Sequence, residues 1–230
     1  MTSTHWPAGP VGEDPTIRTF AMRRGRLGTA SADALTRLWP RLGVDVDGRP
    51  LDLPRLFGRT APVVLEIGFG HGEATAAMAA EDPDRDVLAV EVHPAGLGAL
   101  LRRIEESGLR NVRVADGDAL VVLRDMLPTA SLDEVRVLFP DPWPKARHHK
   151  RRLVSPAFAG LVADRLRPAG RLHVATDWPH YAEQVLEVVR ASPSFAGSTV
   201  PRPAARPVTR FERRALRDGR PVVDVVAVRV

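Results

Sequence analysis

Three prolines at alternate positions, Pro140, Pro142 and Pro144, are the feature that most restricts how this chain can fold. Each ring fixes φ and removes a backbone donor, and the residue before each proline is driven away from the helical region. We therefore predict a stiff, extended loop over these positions. The apolar run at 135–139 is typical of a buried strand, so the loop begins where a strand ends.

The proline loop, residues 139–144, carries an acidic and an aromatic side chain, Asp141 and Trp143. A basic tract follows it, made of Lys145, Arg147, His148, His149, Lys150, Arg151 and Arg152. A rigid loop at a strand end is a good place to hold a reacting group. The combination indicates a base-modifying site beside a phosphate-binding surface, while the alternative for the tract is a solvated basic loop. Trp143 either stacks on a base or packs beneath the loop.

The amino-acid composition limits the classes of protein to which the chain can belong. The chain has 230 residues, of which 44% are hydrophobic, enough for one sizeable α/β domain with a proper core. A formal charge of +5 with clustered arginines favours a polyanionic partner. Because the chain has no cysteine, disulfides and cysteine-based metal sites or nucleophiles are excluded. Neither a signal peptide nor a membrane-spanning run is visible, so we expect a cytoplasmic monomer or homodimer with no membrane partner and no metal.

The chain divides into three parts on composition. Residues 1–16 are rich in Pro, Gly and Thr and are expected to form a flexible tail. Residues 17–60 form a basic arm, with Arg18, Arg23, Arg24 and Arg26, followed by a helix at 32–42. Residues 61–230 form the main domain.

Strand and helix patterns alternate through the main domain. Strands are predicted at 63–67, 87–92, 111–115, 135–139 and 172–176. Helices are predicted at 73–80, 95–107, 118–128, 158–166 and 181–190. This alternation predicts right-handed crossovers and a mostly parallel, doubly wound sheet. After a long loop at 192–207, two strand-like runs at 208–213 and 222–230 surround Asp218-Gly219 and predict a C-terminal antiparallel hairpin.

A glycine-rich turn follows the first predicted strand. Gly68, Gly70 and Gly72 allow the backbone to turn sharply and approach a ligand. The dinucleotide fingerprint requires a glycine where this chain has Glu73, and a pyrophosphate is disfavoured beside Glu73 and Glu66. A cofactor with a sulfonium and an ammonium suits these acids, which favours S-adenosylmethionine over NAD.

Acidic residues stand at the ends of four consecutive predicted strands: Glu66, Glu91, Asp118 and Asp141. Ligands of parallel α/β sheets bind at this carboxyl edge, and the acid after the second strand commonly takes the ribose hydroxyls. The four acids therefore predict one shared cofactor site.

These features resemble the bacterial tRNA (guanine-N7-)-methyltransferase (TrmB) family. The resemblance covers the chain from about residue 18 onward and rests on the motifs LEIGFG (65–70), EVH (91–93), FPDPWPK (139–145), RHHKRR (147–152), ATDW (175–178) and TRFE (209–212). It implies a Rossmann-like class I S-adenosylmethionine-dependent methyltransferase fold, with a mostly parallel seven-stranded sheet and helices on both faces. The implied reaction is methyl transfer from S-adenosyl-L-methionine to N7 of a tRNA guanine, at position 46 in the variable loop.

The resemblance also implies roles for individual residues. The implied cofactor-binding residues are Glu66, Gly68, Gly70, Glu91, Asp118 and Asp141, and Asp141 is also the implied catalytic residue. The implied substrate-binding residues are Lys145, Asp177, Thr209, Arg210, Phe211 and Glu212. The implied RNA contacts are Arg147, His148, His149, Lys150, Arg151 and Arg152. Arg210 stands where the family often has lysine.

Structural and functional alternatives remain open at this point. Asp177 is also suited to cap the helix that follows it. Thr209 and Glu212 are also suited to lie on one face of a hairpin, with Glu212 paired to Arg213 or Arg214. Another RNA nucleobase is the alternative substrate. A small-molecule methyltransferase is disfavoured by the basic tract, a non-catalytic RNA-binding module by the four acids, and a nicotinamide oxidoreductase by Glu73.

Overall fold

Eight strands form one sheet in the computed structural model, which describes residues 19–20 and 27–230. The strands are β1 (Gly43–Asp45), β2 (Val63–Ile67), β3 (Asp86–Glu91), β4 (Val112–Asp116), β5 (Leu132–Leu138), β6 (Leu166–Thr176), β7 (Phe195–Val200) and β8 (Val223–Arg229). Their order across the sheet is β1-β4-β3-β2-β5-β6-β8-β7. The predicted tail and the arginines at 18, 23, 24 and 26 lie outside the described residues.

Helices connect nearly all the strands. They are α1 (Thr29–Leu42), α2 (Leu53–Phe57), α3 (Glu73–Glu81), α4 (Pro94–Glu106), α5 (Ala119–Val121), α6 (Pro156–Arg165), α7 (Pro179–Ala191) and α8 (Arg210–Arg217). A π-helical turn, Val122–Met126, continues α5, and a 3-10 helix spans Ala146–Arg151. One apolar core joins α1, α3 and α4 to one face of the sheet, and a second joins α5, α6 and α7 to the other face.

The predicted parallel sheet with helices on both faces is confirmed. All neighbouring pairs from β1 to β6 across the sheet are parallel, and the C-terminal β8 runs antiparallel to both β6 and β7. The chain runs outward from β2 through β3 to β4 and then returns to β5 on the other side of β2. This reversal creates a crevice at the carboxyl ends of β2 and β5, where ligands bind in such sheets.

The sheet has one strand more than the seven predicted. Strand β1 follows α1 directly and pairs with β4, from Gly43 opposite Val114 to Asp45 opposite Asp116. Only three residues long, it is too short to give a periodic sequence signal. Helix α1 packs on α4, so this part of the proposed arm is built onto the main sheet.

The C-terminal antiparallel pair is present, but the prediction placed its first strand wrongly. Strand β7 lies at Phe195–Val200, inside the predicted long loop, and pairs with β8. Residues 208–213 instead lead into α8, because the Thr209 side chain accepts a hydrogen bond from the backbone N–H of Glu212 and caps the helix. The Thr-x-x-Glu spacing is the sequence signal for this helix start.

Three carboxylates meet at the carboxyl ends of β1, β4 and β3. Asp116 is the register partner of both Asp45 and Glu91. Burial, reinforced by these two acids, raises the pKa of Asp116 to about 6. The folded protein therefore holds a proton on Asp116 more tightly than the unfolded chain does, so the carboxyl costs no stability at low pH but destabilises the fold as pH rises through about 6.

Asp116→Asn is expected to raise the free energy of unfolding at pH 8 but not at pH 4. Because the pKa of Asp116 is raised by about two units, the gain in the free energy of unfolding is at most about 3 kcal/mol. Partial solvent screening reduces the expected gain to about 1–2 kcal/mol. Urea unfolding at both pH values measures it, with Asp84→Asn on an exposed loop as control. A gain of the same size at both pH values would contradict the assignment.

Candidate active site

A cleft of about 980 Å³, measured with its open mouth, lies at the carboxyl ends of β2, β3, β4 and β5. Five of the six cofactor-binding residues that the resemblance implies line it: Gly68, Gly70, Glu91, Asp118 and Asp141. Thr19, Phe20, Phe139, Arg210 and Phe211 also line it. Acids from three strand ends and a glycine turn thus meet in one place, as the strand-end pattern predicts.

The glycine turn is held by the carboxylate of Glu91. Gly68 and Gly70 have φ values of 73° and 64°, a region that side-chain-bearing residues rarely adopt. The Gly70 N–H donates to Glu91 Oε2 at 2.9 Å, and the Val92 N–H donates to Oε1 at 2.7 Å. Glu91 therefore fixes the shape of the turn while its side chain lines the cleft.

Glu66 is buried beside the cleft, with 2% of its surface exposed. Its Oε1 accepts a hydrogen bond from Thr75 Oγ1 at 2.9 Å, whereas its Oε2 has no partner among the described residues. Burial raises the pKa of this carboxyl. Glu66 lines a smaller cavity that it shares with Arg210 and Phe211. A buried acceptor without a donor is costly, so a ligand that brings an N–H or a positive charge fits this position.

The other two acids occupy the remaining strand ends. Asp118 begins α5, where its Oδ1 accepts from the Leu120 N–H at 2.9 Å. Asp141 lies half-buried in the proline loop and borders the same cleft. Both side chains are therefore positioned by a turn that directly follows a strand.

The proline loop differs in part from the extended shape that was predicted. Phe139 and Trp143 adopt φ values of 57° and 45°, in the left-handed region, although each precedes a proline. Such values are strained for bulky residues and are held by the surroundings. The Phe139 N–H donates to the Ala175 carbonyl at 2.7 Å, and its ring stacks on Phe211 with centroids 6.1 Å apart. The loop is thus fixed from both sides.

Trp143 lies at the surface end of the loop and is only half-buried. Its Nε1 donates to the Thr19 carbonyl at 3.3 Å, and the Arg151 guanidinium lies 3.7 Å from the ring centroid. The ring is therefore not a core residue, and in this structure an arginine occupies its face where a base would stack.

The basic tract forms the 3-10 helix Ala146–Arg151 and the residues beside it. Lys145, Arg147 and Lys150 are exposed, and His148, His149 and Arg151 are half-buried. These six side chains form the accessible part of the tract. Neither Lys145 nor Asp177 lines the cleft in this structure.

Arg152 does not have the surface position that an RNA contact requires. Only 4% of its surface is exposed, and its Nε donates to the Pro142 carbonyl at 2.9 Å. Its guanidinium also donates to Gln184 Oε1 at 2.7 Å and lies over the Tyr181 ring. Arg152 therefore braces the proline loop from inside, and it is left out of the RNA contacts proposed below.

Asp177 is held by an arginine and does not cap a helix. The Arg220 guanidinium donates to its Oδ2, with N···O distances of 3.1 and 2.9 Å. The N-cap of the following helix α7 is instead Trp178, whose N–H donates to Thr176 Oγ1. The capping alternative for Asp177 is therefore wrong.

Glu212 is buried, with 5% of its surface exposed, and pairs with an arginine that the sequence analysis did not single out. Arg206 donates to Glu212 Oε2 at 2.5 Å, so the alternative in which Glu212 pairs with Arg213 or Arg214 is wrong. The Glu212 carboxylate thus anchors α8, whereas its neighbours Arg210 and Phe211 reach the cleft.

Arg206 is the centre of a buried polar cluster that sequence reasoning missed. Its surface is 1% exposed, and two of its nitrogens donate to the two oxygens of Asp224 at 2.8 Å each. His173 Nε2 lies 2.7 Å from Asp224 Oδ1. Burial alone would raise the pKa of Asp224, but the hydrogen bonds with His173 and Arg206 outweigh burial and lower it. No local sequence pattern identifies Arg206, because its partners lie on β8 and α8.

Two kinds of feature are absent from the part of the chain that the structure describes. Residues 19–20 and 27–230 contain no group of three or more His, Cys, Asp or Glu side chains arranged to hold a metal ion. Over the same residues, every helix is too short or too polar to cross a membrane.

Arg206→Ala is expected to lower the free energy of unfolding by about 3–5 kcal/mol, because removal of one partner leaves the other charges buried and unpaired. Arg206→Lys keeps the charge but cannot form the bidentate hydrogen bonds to Asp224, so an intermediate loss of unfolding free energy is expected. Chemical denaturation measures both, with Arg190→Ala, at an exposed position of α7, as the matched control. Equal stability of Arg206→Ala and the control would contradict a structural role for the cluster.

Comparison with known proteins gives consistent results. Residues 60–225 match a family model described as "Putative methyltransferase". A tRNA (guanine-N(7)-)-methyltransferase of Streptomyces avermitilis is 56% identical over 97% of this chain and 79% of its own length. The protein of the same name from Nitrosomonas europaea is 46% identical over 95% of this chain and 99% of its own length.

Solved structures show the same fold at low sequence identity. The 16S rRNA methyltransferase KamB superposes with a TM-score of 0.57 at 17% identity, covering 79% of this chain and 94% of its own. The aminoglycoside resistance methyltransferase NpmB1 gives a TM-score of 0.54 at 18% identity, covering 78% and 92%. These likenesses support the class I methyltransferase fold.

Proposed function

The chain belongs to the tRNA (guanine-N7-)-methyltransferase family, and from this premise we propose that it methylates the guanine at position 46, in the tRNA variable loop. The enzyme transfers the methyl group of S-adenosyl-L-methionine to N7 of a guanine in tRNA. The choice of position 46, the residue roles and a cytoplasmic location belong to the proposal.

The observation that supports the proposal most strongly is the convergence of the glycine turn, Glu91, Asp118 and Asp141 in one cleft. The cleft opens beside the proline loop, and the basic tract follows that loop directly. A cofactor pocket and a cationic surface therefore adjoin, as an enzyme that modifies a base within a polyanion requires.

The residues of the cleft fit S-adenosyl-L-methionine, which supplies an electrophilic methyl group when bound. We assign Glu66, Gly68, Gly70, Glu91, Asp118 and Asp141 to its binding. The unpartnered Oε2 of Glu66 suits a donor or a cationic group, and the acids as a set suit a ligand with positive centres. They oppose a pyrophosphate, which carries negative charge.

The chemistry at guanine N7 requires no general base. N7 carries an in-plane lone pair and no proton, and methylation leaves a positive charge on the purine. A carboxylate placed beside the ring stabilises that charge and aligns the ring, through positioning and electrostatics. Asp141 is our candidate because it lines the cleft on a rigid loop. Its role is that of a hydrogen-bond acceptor.

The substrate is assigned to the mouth of the cleft. We propose that Arg210 and Phe211, which line the cleft, contact the target nucleotide, with Thr209 fixing the start of α8 and Glu212 anchoring it. Lys145 and Asp177 remain proposed substrate contacts that must approach as tRNA binds.

The proposed RNA contacts of the basic tract are Arg147, His148, His149, Lys150 and Arg151. Because N7 is engaged in tertiary contacts of folded tRNA, local opening of the base is part of the proposal.

Incubation of the protein with total tRNA and labelled S-adenosyl-L-methionine, followed by nucleoside analysis, tests the function. Label is expected in 7-methylguanosine alone, and a tRNA transcript with adenine in place of guanine 46 is expected to remain unlabelled. Label in another nucleoside would support methylation of a different RNA base. Undiminished labelling of the adenine-46 transcript would contradict the variable-loop assignment.

Asp141→Ala is expected to lower the single-turnover rate by about 10²-fold with saturating tRNA and cofactor, because the carboxylate acts mainly in the transition state. Its affinity for tRNA is expected to change much less. Asp84→Ala, an exposed acid between α3 and β3, is the control for loss of a negative charge. An unchanged chemical rate would reduce Asp141 to a residue that shapes the loop.

A further inference from the structure

Helix α8 carries four arginines on one face. Arg210, Arg213, Arg214 and Arg217 occupy positions i, i+3, i+4 and i+7 of the helix. Residues at this spacing share one side of an α-helix, and all four are exposed. We call Arg213, Arg214 and Arg217 the arginine stripe; Arg210 is already assigned to the substrate site.

The opposite face of α8 is fixed to the body of the protein. Ala215 is fully buried, and Glu212 is 5% exposed and ion-paired to Arg206. Arg206 is in turn bonded to Asp224 on β8. The arginine stripe is therefore presented to solvent from a rigid support, which distinguishes it from arginines on a mobile loop.

The charges of the stripe oppose helix formation. Like charges at i+3 and i+4 repel each other along a helix. The acids near the stripe compensate little, because Arg213 lies 3.8 Å from Glu73 and Arg214 lies 3.8 Å from Asp218, while 57% and 72% of these arginine side chains are exposed. An exposed pair of this kind contributes little to stability. Arginine forms helices as readily as other long side chains, and Arg213 also donates to the Val208 carbonyl at 2.9 Å, but neither fact requires arginine at all four positions of this face. Binding a polyanion does favour four arginines there.

The position of α8 indicates which polyanion it meets. The first turn of the helix reaches the cleft through Arg210 and Phe211, and Phe211 stacks on Phe139 at the start of the proline loop. The stripe continues this face of the helix away from the cleft, and Arg217 lies about 10 Å along the helix axis from Arg210. A nucleic acid whose base enters the cleft must also pass along the protein surface beside the cleft mouth. The arginine stripe on α8 forms part of that surface.

We propose that Arg213, Arg214 and Arg217 form a second phosphate-binding surface for tRNA, in addition to the basic tract. This inference rests on the proposed function and adds a docking surface to it. Guanidinium groups bind phosphate oxygens with paired, charge-assisted hydrogen bonds. The stripe contacts the sugar–phosphate backbone and positions the tRNA, and it does not read bases.

The test compares two triple variants with the same change of charge. Arg213→Ala/Arg214→Ala/Arg217→Ala removes the stripe. Arg41→Ala/Arg110→Ala/Arg190→Ala removes three exposed arginines, each of which lies shortly before the first residue of a strand. The strands concerned, β1, β4 and β7, share one direction, so these arginines lie at the edge of the sheet opposite the cleft. Binding of unmodified tRNA transcript is measured at several salt concentrations.

Loss of the stripe is expected to weaken tRNA binding roughly ten- to hundredfold and to lower the slope of log affinity against log salt by about 2–3, because each lost phosphate contact lowers it by about 1. The control is expected to keep the wild-type slope. Both variants are expected to retain wild-type thermal unfolding and S-adenosyl-L-methionine affinity. The rate at saturating tRNA is expected to stay within about twofold of wild type.

The inference is overturned if the stripe variant and the control have the same affinity for tRNA and the same salt slope. A stripe variant that binds cofactor normally but is slow even at saturating tRNA would also overturn it, because the stripe would then act in catalysis and not in docking. Failure of the proposed function has a different signature, since wild-type protein would then form no 7-methylguanosine. If the triple variant unfolds, the single variant Arg217→Ala, expected to lower the salt slope by about 1, takes its place.

Discussion

The contact of one buried guanidinium with two carboxylates holds together the side of the protein where we propose that the substrate binds. Arg206 joins Asp224 on β8 to Glu212 on α8, and its guanidinium lies 5.7 Å from the centre of the Phe139 ring in the proline loop. A buried charge requires a complete set of partners, so these groups have one favourable arrangement and not several. The C-terminal strand, the basic helix and the start of the proline loop are therefore positioned by the same side chain.

The parallel sheet could be predicted from the sequence because its strands are short apolar runs separated by helical patterns. The predicted helix at 73–80, for example, corresponds to α3 at Glu73–Glu81. The C-terminal region could not be predicted in this way. In β7 only Phe195 is buried, so the strand has no alternating pattern. Helix α8 buries a glutamate and an alanine, and a search for apolar residues at helical spacing does not find it.

The candidate site could likewise be predicted only in part from the sequence. The acids at the strand ends could be predicted because the ends of parallel strands meet at one edge, whatever the distances between them in sequence. The orientation of neighbouring residues in an irregular segment could not. Arg151 lies over the Trp143 ring, while Arg152 turns inward to Gln184 and Tyr181. The two arginines are adjacent and chemically identical, so only the packing of α7 beneath the loop separates their roles.

The left-handed backbone of Phe139 and Trp143 has a consequence for the order in which the protein folds. Isolated residues of these types, each followed by proline, do not favour that conformation. The loop therefore has no local preference for its native shape and acquires it from contacts with Ala175, Phe211 and Arg152. Those contacts require β6, α8 and α7 to be in place. The loop that carries Asp141 is thus expected to be among the last segments to become native, so an intermediate with a complete sheet would still lack the site.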